Sequence, residues 1–441
     1  MPRLKRNVTL WEATMFCLCV IIGAGIYVLI GIAAGQAGNS TWLAFLVAAL
    51  IAGCTGLSYA ELSSKLPYDA AEYTYSKEAF KSGKFAFGIA WLKLVTAIIA
   101  AAAVSIGFGG YFSNLFGING LVGAILIVVI SLAVNILSAE ATLKLSAVFA
   151  GITILGLLII VVSGLGYIGS VNYTELTFGW GGIFSGAALI FFAFLGFEDV
   201  ANLSEESKNP KNILPKAIII SIIVSTVIYT LVSLVAISVI PWDELSKSSS
   251  PLTDVANVTL GPSSNIFMNI IALIATGSTV VVLFFAYSRM IFGMSEKKSL
   301  PKIFIRISKK RRVPYIALFS VGIITILFIL LQDLKFVASL TDFGALFVFM
   351  VVNLALIFIR YRKPKMRGHF KVPINIGKIP VTAAVGFLFS FYMLLTLSIA
   401  VAIACLLIFL FGILLFTFYI EKKSNSRKSR KPRKKRLKKK K

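Results

Sequence analysis

The chain has 441 residues, 58% of them hydrophobic, and a formal net charge of +26. Its mean hydropathy of +0.90 excludes a water-soluble globular protein and indicates an integral, polytopic membrane protein. One histidine, His369, and four cysteines, all in apolar segments, leave little material for catalysis; no enzyme activity, cofactor or bound metal is expected, a sodium ion excepted.

The basic N-terminus, residues 1–11, carries Arg3, Lys5 and Arg6. The apolar stretch after it runs past signal-peptide length. Twelve spans follow, at about 12–35, 41–65, 85–113, 120–138, 144–169, 183–204, 215–240, 263–293, 314–331, 337–360, 379–396 and 399–420, each near the length that crosses ~30 Å of hydrocarbon. Eleven is the competing count, because almost nothing joins the last two. The connector 241–262 reads as a short surface helix or lid. Residues 421–441 form a tail in which fourteen of the last twenty residues are Lys or Arg. Such a run cannot build a core and suits anionic lipid headgroups. A nucleic-acid partner is disfavoured, since no aromatics are interleaved to stack bases.

Basic residues fix the expected orientation. One set of connectors carries Lys65, Lys77, Lys81 and Lys84, then Lys144, then Lys208, Lys211 and Lys216, then the runs 297–312 and 360–378. The other set has only Lys247 and Lys335 as cations, among Glu175, Asp243, Glu244, Asp254 and Asp333. Both termini are therefore expected in the cytoplasm, with the chain in the cell membrane.

The first span holds Ile22-Gly23-Ala24-Gly25-Ile26, and roughly 170 residues later the sixth holds Phe191-Phe192-Ala193-Phe194-Leu195-Gly196-Phe197-Glu198. Interrupted membrane helices at corresponding places in two halves suggest a cargo site. Backbone groups exposed by a break persist in a bilayer only where they line a cavity or meet a ligand. Unwinding the first span frees the N–H groups of Ala24, Gly25 and Ile26 at a positive helix end, which suits a carboxylate. The sixth span leaves carbonyls near Phe191–Phe194 at a negative end, which suits an ammonium. Together they favour an α-amino acid zwitterion. Each feature alone also reads as ordinary helix packing, for which membrane glycines are common.

From Glu198 the chain runs into Glu205-Glu206-Ser207-Lys208-Asn209-Pro210 and then Pro215-Lys216-Ala217-Ile218. This block resembles the amino acid–polyamine–organocation permeases, which have an FFAF-x-GFE stretch, then EE-x-KNP, then P-x-AI. The segment Ile22 to Gly31 is similar to the family's glycine signature. Tyr287-Ser288-Arg289 through Met294, Leu300-Pro301 and Phe304 resemble its junction after span 8, and Arg360 to Pro373 its connector after span 10. The resemblance covers roughly residues 8–420. It implies an all-α, leucine-transporter-like fold: inverted five-helix repeats (12–169 and 183–360) plus two peripheral helices (379–420), twelve transmembrane helices in all. It also implies a secondary active transporter working by alternating access. Carried over by position, Ile22, Gly23, Ala24 and Gly25 bind the carboxylate region, Phe192, Ala193 and Leu195 give carbonyls or pocket walls, and Phe194 is an aromatic gate or a lipid-facing residue.

The coupling ion stays open between sodium and proton. For sodium, the resemblance implies Thr276, Ser278 and Thr279 with the backbone oxygens of Cys19 and Ile22; hydroxyls in membrane helices also back-bond to their own helix. Some members instead place a lysine in span 5, and here Gly156 stands about there. Ionisable residues at membrane depth invite a functional reading. Glu198 reads as a proton carrier, an inner-gate partner, or a helix-end charge answered by a basic loop, with Asp199 facing water or the cavity. Lys93 reads as a coupling group or as a side chain snorkelling to the interface. Asp342 reads as water-exposed, and Glu205 and Glu206 as surface charges paired with Lys208 or Lys211. The pocket looks apolar, which fits neutral amino acids. A cationic amino acid or polyamine carrier is the alternative, and a channel or receptor lacks the polar ring it would need.

Overall fold

The computed structural model describes residues 6–68, 70–137, 139–248, 250–308, 311, 313–331, 334–366 and 368–421. The polybasic run from Lys422, the basic residues Arg3, Lys5 and Arg312, and Asp333 of the acidic connectors lie outside them. The fold is all-α and polytopic, with one two-stranded hairpin, Asn375–Ile376 paired to Ile379–Pro380. The helices are α1 (Leu10–Ile21), α2 (Ala24–Ala37), α3 (Thr41–Lys65), α4 (Ala71–Phe80), α5 (Gly83–Phe116), α6 (Gly120–Leu137), α7 (Ala139–Gly164), α8 (Gly179–Ile190), α9 (Pro210–Val239), α10 (Trp242–Leu245), α11 (Pro251–Leu260), α12 (Ser264–Glu296), α13 (Tyr315–Ile329), α14 (Leu334–Arg362), α15 (Val381–Thr396) and α16 (Ile399–Leu415).

Local chemistry sets several of these ends. Thr9 and Glu12 form a capping box at the start of α1, with Thr9 N–H donating to Glu12 Oε2 at 2.8 Å and Glu12 N–H to Thr9 Oγ1 at 3.3 Å. Ser82 caps α5 through Phe85 N–H at 3.3 Å. Pro210 opens α9, where its missing N–H costs nothing. Gly117 ends α5 at φ +67°, a left-handed position that glycine takes without strain.

Ten stretches among the described residues are long and apolar enough to cross a bilayer. Two further apolar helices, α13 and α15, have 15 and 16 residues. At 1.5 Å per residue they reach only about 23 Å, so helix length does not by itself establish twelve crossings. The connector 241–262 does form short helices, α10 and α11. They bury Leu245, Leu252 and Val255 and lie against α2, where the Leu245 carbonyl would sit 2.6 Å from a Cβ on Gly31. Helix α4, in the connector 66–84, was not foreseen; it packs on α5 and α14 at the face that carries the basic connectors.

The helix packing has a repeating pattern. Helix α3 lies along α9, and α5 along α12. Helix α1 packs on α9 as α8 packs on α3; α7 packs on α12 as α14 packs on α5; α6 packs on α12 as α13 packs on α5. Exchanging the helices before residue 170 with those after it reproduces the same contacts. Helices α15 and α16 lie outside, against α3, α5 and α14.

Polar clasps replace part of the hydrophobic driving force that lipid does not supply. Asn353 on α14 takes a hydrogen bond from Ser58 Oγ at 2.6 Å and donates to Thr55 Oγ1 at 3.0 Å, both on α3. At the basic end of the same helix pair, fully buried Glu61 accepts from Arg360 Nε at 2.8 Å, Lys65 Nζ at 2.6 Å and Val372 N–H at 2.8 Å. Replacing Glu61 by Ala leaves buried Arg360 and half-buried Lys65 without their counter-charge, a loss on the order of 3–5 kcal/mol. The E61A protein should therefore unfold at a clearly lower temperature in detergent; a thermal transition matching wild type would show that the clasp is not stabilising.

Candidate functional site

Both interruptions are present. Helix α1 stops at Ile21, Ile22 caps it through its N–H to Leu18 O at 2.8 Å, and Gly23 takes φ −91°, ψ −119° before α2 begins at Ala24. The break thus sits at Ile22–Gly23, slightly ahead of the second glycine. The N–H groups of Gly23, Ala24, Gly25 and Ile26 have no intrahelical acceptor, as at any helix start. In the second segment α8 ends at Ile190 and a 3₁₀ turn runs from Phe191 to Phe194. Leu195 is extended, Gly196 has φ +122°, and a second 3₁₀ stretch spans Phe197–Leu203. Only glycine takes the Gly196 conformation freely, and a Cβ there would also stand 2.7 Å from Val20 Cβ.

The two breaks touch. A Cβ on Gly25 would overlap the backbone of Ala193, and one on Gly23 would overlap the Thr279 side chain of α12. These glycines are needed for backbone approach as well as for exposed amides. Tyr229 of α9, fully buried, spans both breaks: its hydroxyl reaches the Ile21 carbonyl and, at 3.1 Å, the Ala193 carbonyl. One hydrogen serves two acceptors, so the clasp is bifurcated. Tyr111 of α5 donates to the Tyr27 carbonyl at 2.9 Å, and Tyr27 to Thr153 O at 3.3 Å. Sequence reasoning missed Tyr229, whose signal there is a lone tyrosine inside an apolar run.

Beside the breaks lies a narrow cleft of about 30 Å³, room for a water or two before any movement of the helices. Of the residues singled out from the sequence, Gly25, Phe192, Leu195, Thr279, Lys93 and Glu198 line it. Val20, Ala97, Ala100, Val104 and Leu283 make its wall largely apolar. Ile22, Gly23 and Ile26 are buried at the first break, and Ala193 packs behind it. Phe194 does not face lipid: it is fully buried, edge-on to Tyr229 with ring centroids 5.2 Å apart. The aromatic side chains on the cleft are Phe192 and, at its charged end, Tyr287.

The proposed sodium ligands converge only in part. Thr279 Oγ1 donates to Cys19 O at 3.1 Å and to its own helix at Ala275 O at 2.9 Å. Thr276 and Ser278 turn back on α12, to Ala272 O at 2.7 Å and Ala275 O at 3.0 Å. The span-5 lysine position is closed as well, since a Cβ on Gly156 would stand 2.6 Å from Ile271.

At the end of the cleft nearer the basic face is a buried charge cluster. Lys93 Nζ donates to Glu198 Oε1 at 2.6 Å and lies 3.4 Å from Asp199 Oδ1, at an angle that makes no hydrogen bond. Tyr287 donates to Asp199 Oδ2 at 2.8 Å, and Gly196 N–H donates to Glu198 Oε2 at 2.9 Å. Lys93 is 4% exposed, so the snorkelling reading is corrected: two carboxylates hold the ammonium inside. Glu198 and Asp199 both line the cleft, as the cavity reading has it, and neither is answered by a basic loop. Glu72 of α4 adjoins the cluster and takes a hydrogen bond from Tyr59 at 3.1 Å; burial pushes its carboxyl up while Lys93 pulls it down.

Further toward the basic face, Glu206 is buried and pairs with Arg289 of α12 at 3.6 Å, so its expected pairing with Lys208 or Lys211 is corrected. Burial raises the Glu206 carboxyl above its ordinary range, and Arg289 opposes the rise. Val8 clips the N-terminus to this segment, its N–H to Glu206 O at 3.0 Å and its carbonyl taking Lys208 N–H at 3.1 Å. Asp342, expected in water, is 1% exposed inside α14, next to Thr341, whose hydroxyl donates to Thr96 O at 3.2 Å.

The unpaired amides at the start of α2, beside a largely apolar cleft, offer donors to a small carboxylate. Comparison with known proteins points the same way. The sequence model of one family, described as amino acid permease, matches residues 8–429. A branched-chain amino acid permease of Bacillus subtilis is 29% identical over 96% of this chain and 94% of its own length. A methylthioribose transporter of the same organism is 29% identical over 86% and 87%. A cationic amino acid transporter of Mus musculus is 28% identical over 82% of this chain and 60% of its own.

Gly25→Ala forces the Ala193 backbone away, an overpacking that costs about 1–3 kcal/mol. Binding of a labelled amino acid to purified protein should fall about tenfold while insertion and yield hold. Tyr229→Phe, which adds no bulk, should weaken binding by about 1 kcal/mol through its unpaired carbonyls. Wild-type affinity in both variants would dismiss the breaks as the binding site.

Proposed function

The chain belongs to the amino acid permease family, and on that premise we propose that it carries neutral, apolar α-amino acids across the cell membrane by alternating access, coupled to protons. The observation that carries the reading is the meeting of the two broken helices at an apolar cleft. The cargo carboxylate takes the N–H groups of Gly23 to Ile26, at the positive end of α2. Its ammonium takes carbonyls at the ends of α1 and α8, around Ile21 and Phe191–Phe194. Its side chain lies against Ala97, Ala100, Val104 and Leu283, with Phe192 beside it as the aromatic gate. The name of the branched-chain relative fits such a wall.

The exchange symmetry of the packing supports two five-helix repeats, 12–169 and 183–360, of opposite orientation, with 379–420 peripheral. Alternating access is then a rocking of the broken-helix pairs against the rest. The excess of basic residues in one set of connectors supports that face and both termini in the cytoplasm, with residues 421–441 against anionic headgroups.

Protons are favoured over sodium because the hydroxyl of Thr279 already serves Cys19 O, while Thr276 and Ser278 serve their own helix. The Lys93 cluster offers the alternative. Glu198 accepts a hydrogen bond from the amide of Gly196, the pivot of the second break. An ionised carboxylate is the stronger acceptor, so protonating Glu198 loosens that pivot and connects proton occupancy to helix position. The same cluster holds one carboxylate more than Lys93 neutralises, which favours a second reading, a cationic amino acid as cargo.

In proteoliposomes, an inwardly directed proton gradient should drive accumulation of leucine or valine without sodium. Glu198→Gln should lower gradient-driven accumulation by at least about tenfold, the scale expected for one lost protonation step, while exchange of cargo for cargo persists. Sodium dependence, or undiminished accumulation by E198Q, would refute proton coupling through Glu198. Competition by lysine but not leucine would select the cationic reading.

A further inference from the structure

A second cavity lies at the basic face, away from the cargo cleft. It has a volume of about 460 Å³ between the ends of α3 and α14 and the connector that follows α14. Five cations line it: Lys65, Arg360, Lys363, Lys371 and Lys378. Two carboxylates answer them, Glu61, held by Lys65 and Arg360, and Glu78, held by Lys363. Five against two leaves a surplus of three positive charges.

The pocket is built rather than a loose loop. Glu61 anchors the connector through Val372 N–H, Ser64 Oγ accepts from His369 N–H at 2.6 Å and Phe370 N–H at 3.0 Å, and Arg360 reaches Asn375. The hairpin at 375–380 closes one side, turning at Gly377 with φ +60°. Lys371 and Lys378 stand exposed at the rim. Beside them the connector displays aliphatic side chains outward: Ile374 is 58% exposed and Ile376 74%. Exposed isoleucines around a cationic hollow suit the headgroup layer of a membrane, where an apolar rim meets acyl chains and the hollow meets charge.

We propose that this pocket binds the phosphate group of an anionic phospholipid in the leaflet it faces. Rim lysines contact the phosphate, the buried Glu61 pair fixes the floor, and Ile374 and Ile376 lie along the lipid tail. The site differs from the polybasic tail in having a defined shape, so it retains one lipid rather than attracting a diffuse layer.

The test uses the full-length protein, equilibrated in detergent with phosphatidylglycerol or phosphatidylcholine and examined by native mass spectrometry. Wild type should retain one phosphatidylglycerol in preference to phosphatidylcholine. The double variant Lys371→Gln/Lys378→Gln, confined to exposed side chains, should retain it at least about tenfold less, since each juxtamembrane cation contributes substantially to anionic-lipid attraction. The tail variant Lys439→Gln/Lys440→Gln, with the same change in charge, should keep it. Failure of millimolar inorganic phosphate to displace the lipid supports the lipid source, and displacement would overturn it in favour of a soluble phosphate site. Equal retention of the two lipids, or equal losses in the pocket and tail variants, would also overturn the proposal.

Discussion

A backbone amide or carbonyl stranded in hydrocarbon has no water to turn to, and that constraint organises the centre of this protein. Two helices stop partway, and each stop exposes groups that must find partners. Tyr229 satisfies some carbonyls, Thr279 serves Cys19, and the side chain of Glu198 takes the amide of Gly196. What remains is the set of amides at the start of α2, which no helical carbonyl can reach. The proposed cargo site is the part of the hydrogen-bond inventory left to a ligand.

The charged groups obey a related rule. Ion pairs buried at membrane depth are retained only where both members are held. Lys93 lies between Glu198 and Asp199, Arg289 beside Glu206, and Arg360 against Glu61. Each pair joins segments far apart in the chain, so each also fixes how elements meet. The first lies next to the cargo cleft, the second clips the N-terminal segment's neighbour, and the third holds the connector that shapes the basic pocket.

Much of this was legible in the sequence because it depends on local composition. Hydrophobic runs gave the spans, and the glycines of the first segment with Phe191–Glu198 gave the breaks. The partners were not legible. Lys93 and Glu198 lie 105 residues apart, and Tyr229 lies 208 from Ile21; no periodicity brings such pairs together. A lysine two turns inside a span looks the same whether it snorkels outward or meets two acids inward, and only the packing of α5 against the second break decides. The same limit explains Asp342 and Glu206, read as wet from their positions near helix ends and found buried. Phe194 and Phe192 could not be told apart either, because a 3₁₀ turn does not follow the 3.6-residue period that assigns faces.

The contact between Gly25 and Ala193 has a consequence for how such a carrier diversifies. With two main chains abutting, that corner of the proposed chamber admits almost no side-chain variation, and on the proposed reading it meets only what every amino acid shares. On that reading selectivity rests on the side chains that line the cleft, such as Ala97 and Ala100, where a methyl gained or lost changes the room available without disturbing the backbone contact. A single scaffold can thus accept new cargoes by editing one side of its chamber and keeping the other invariant.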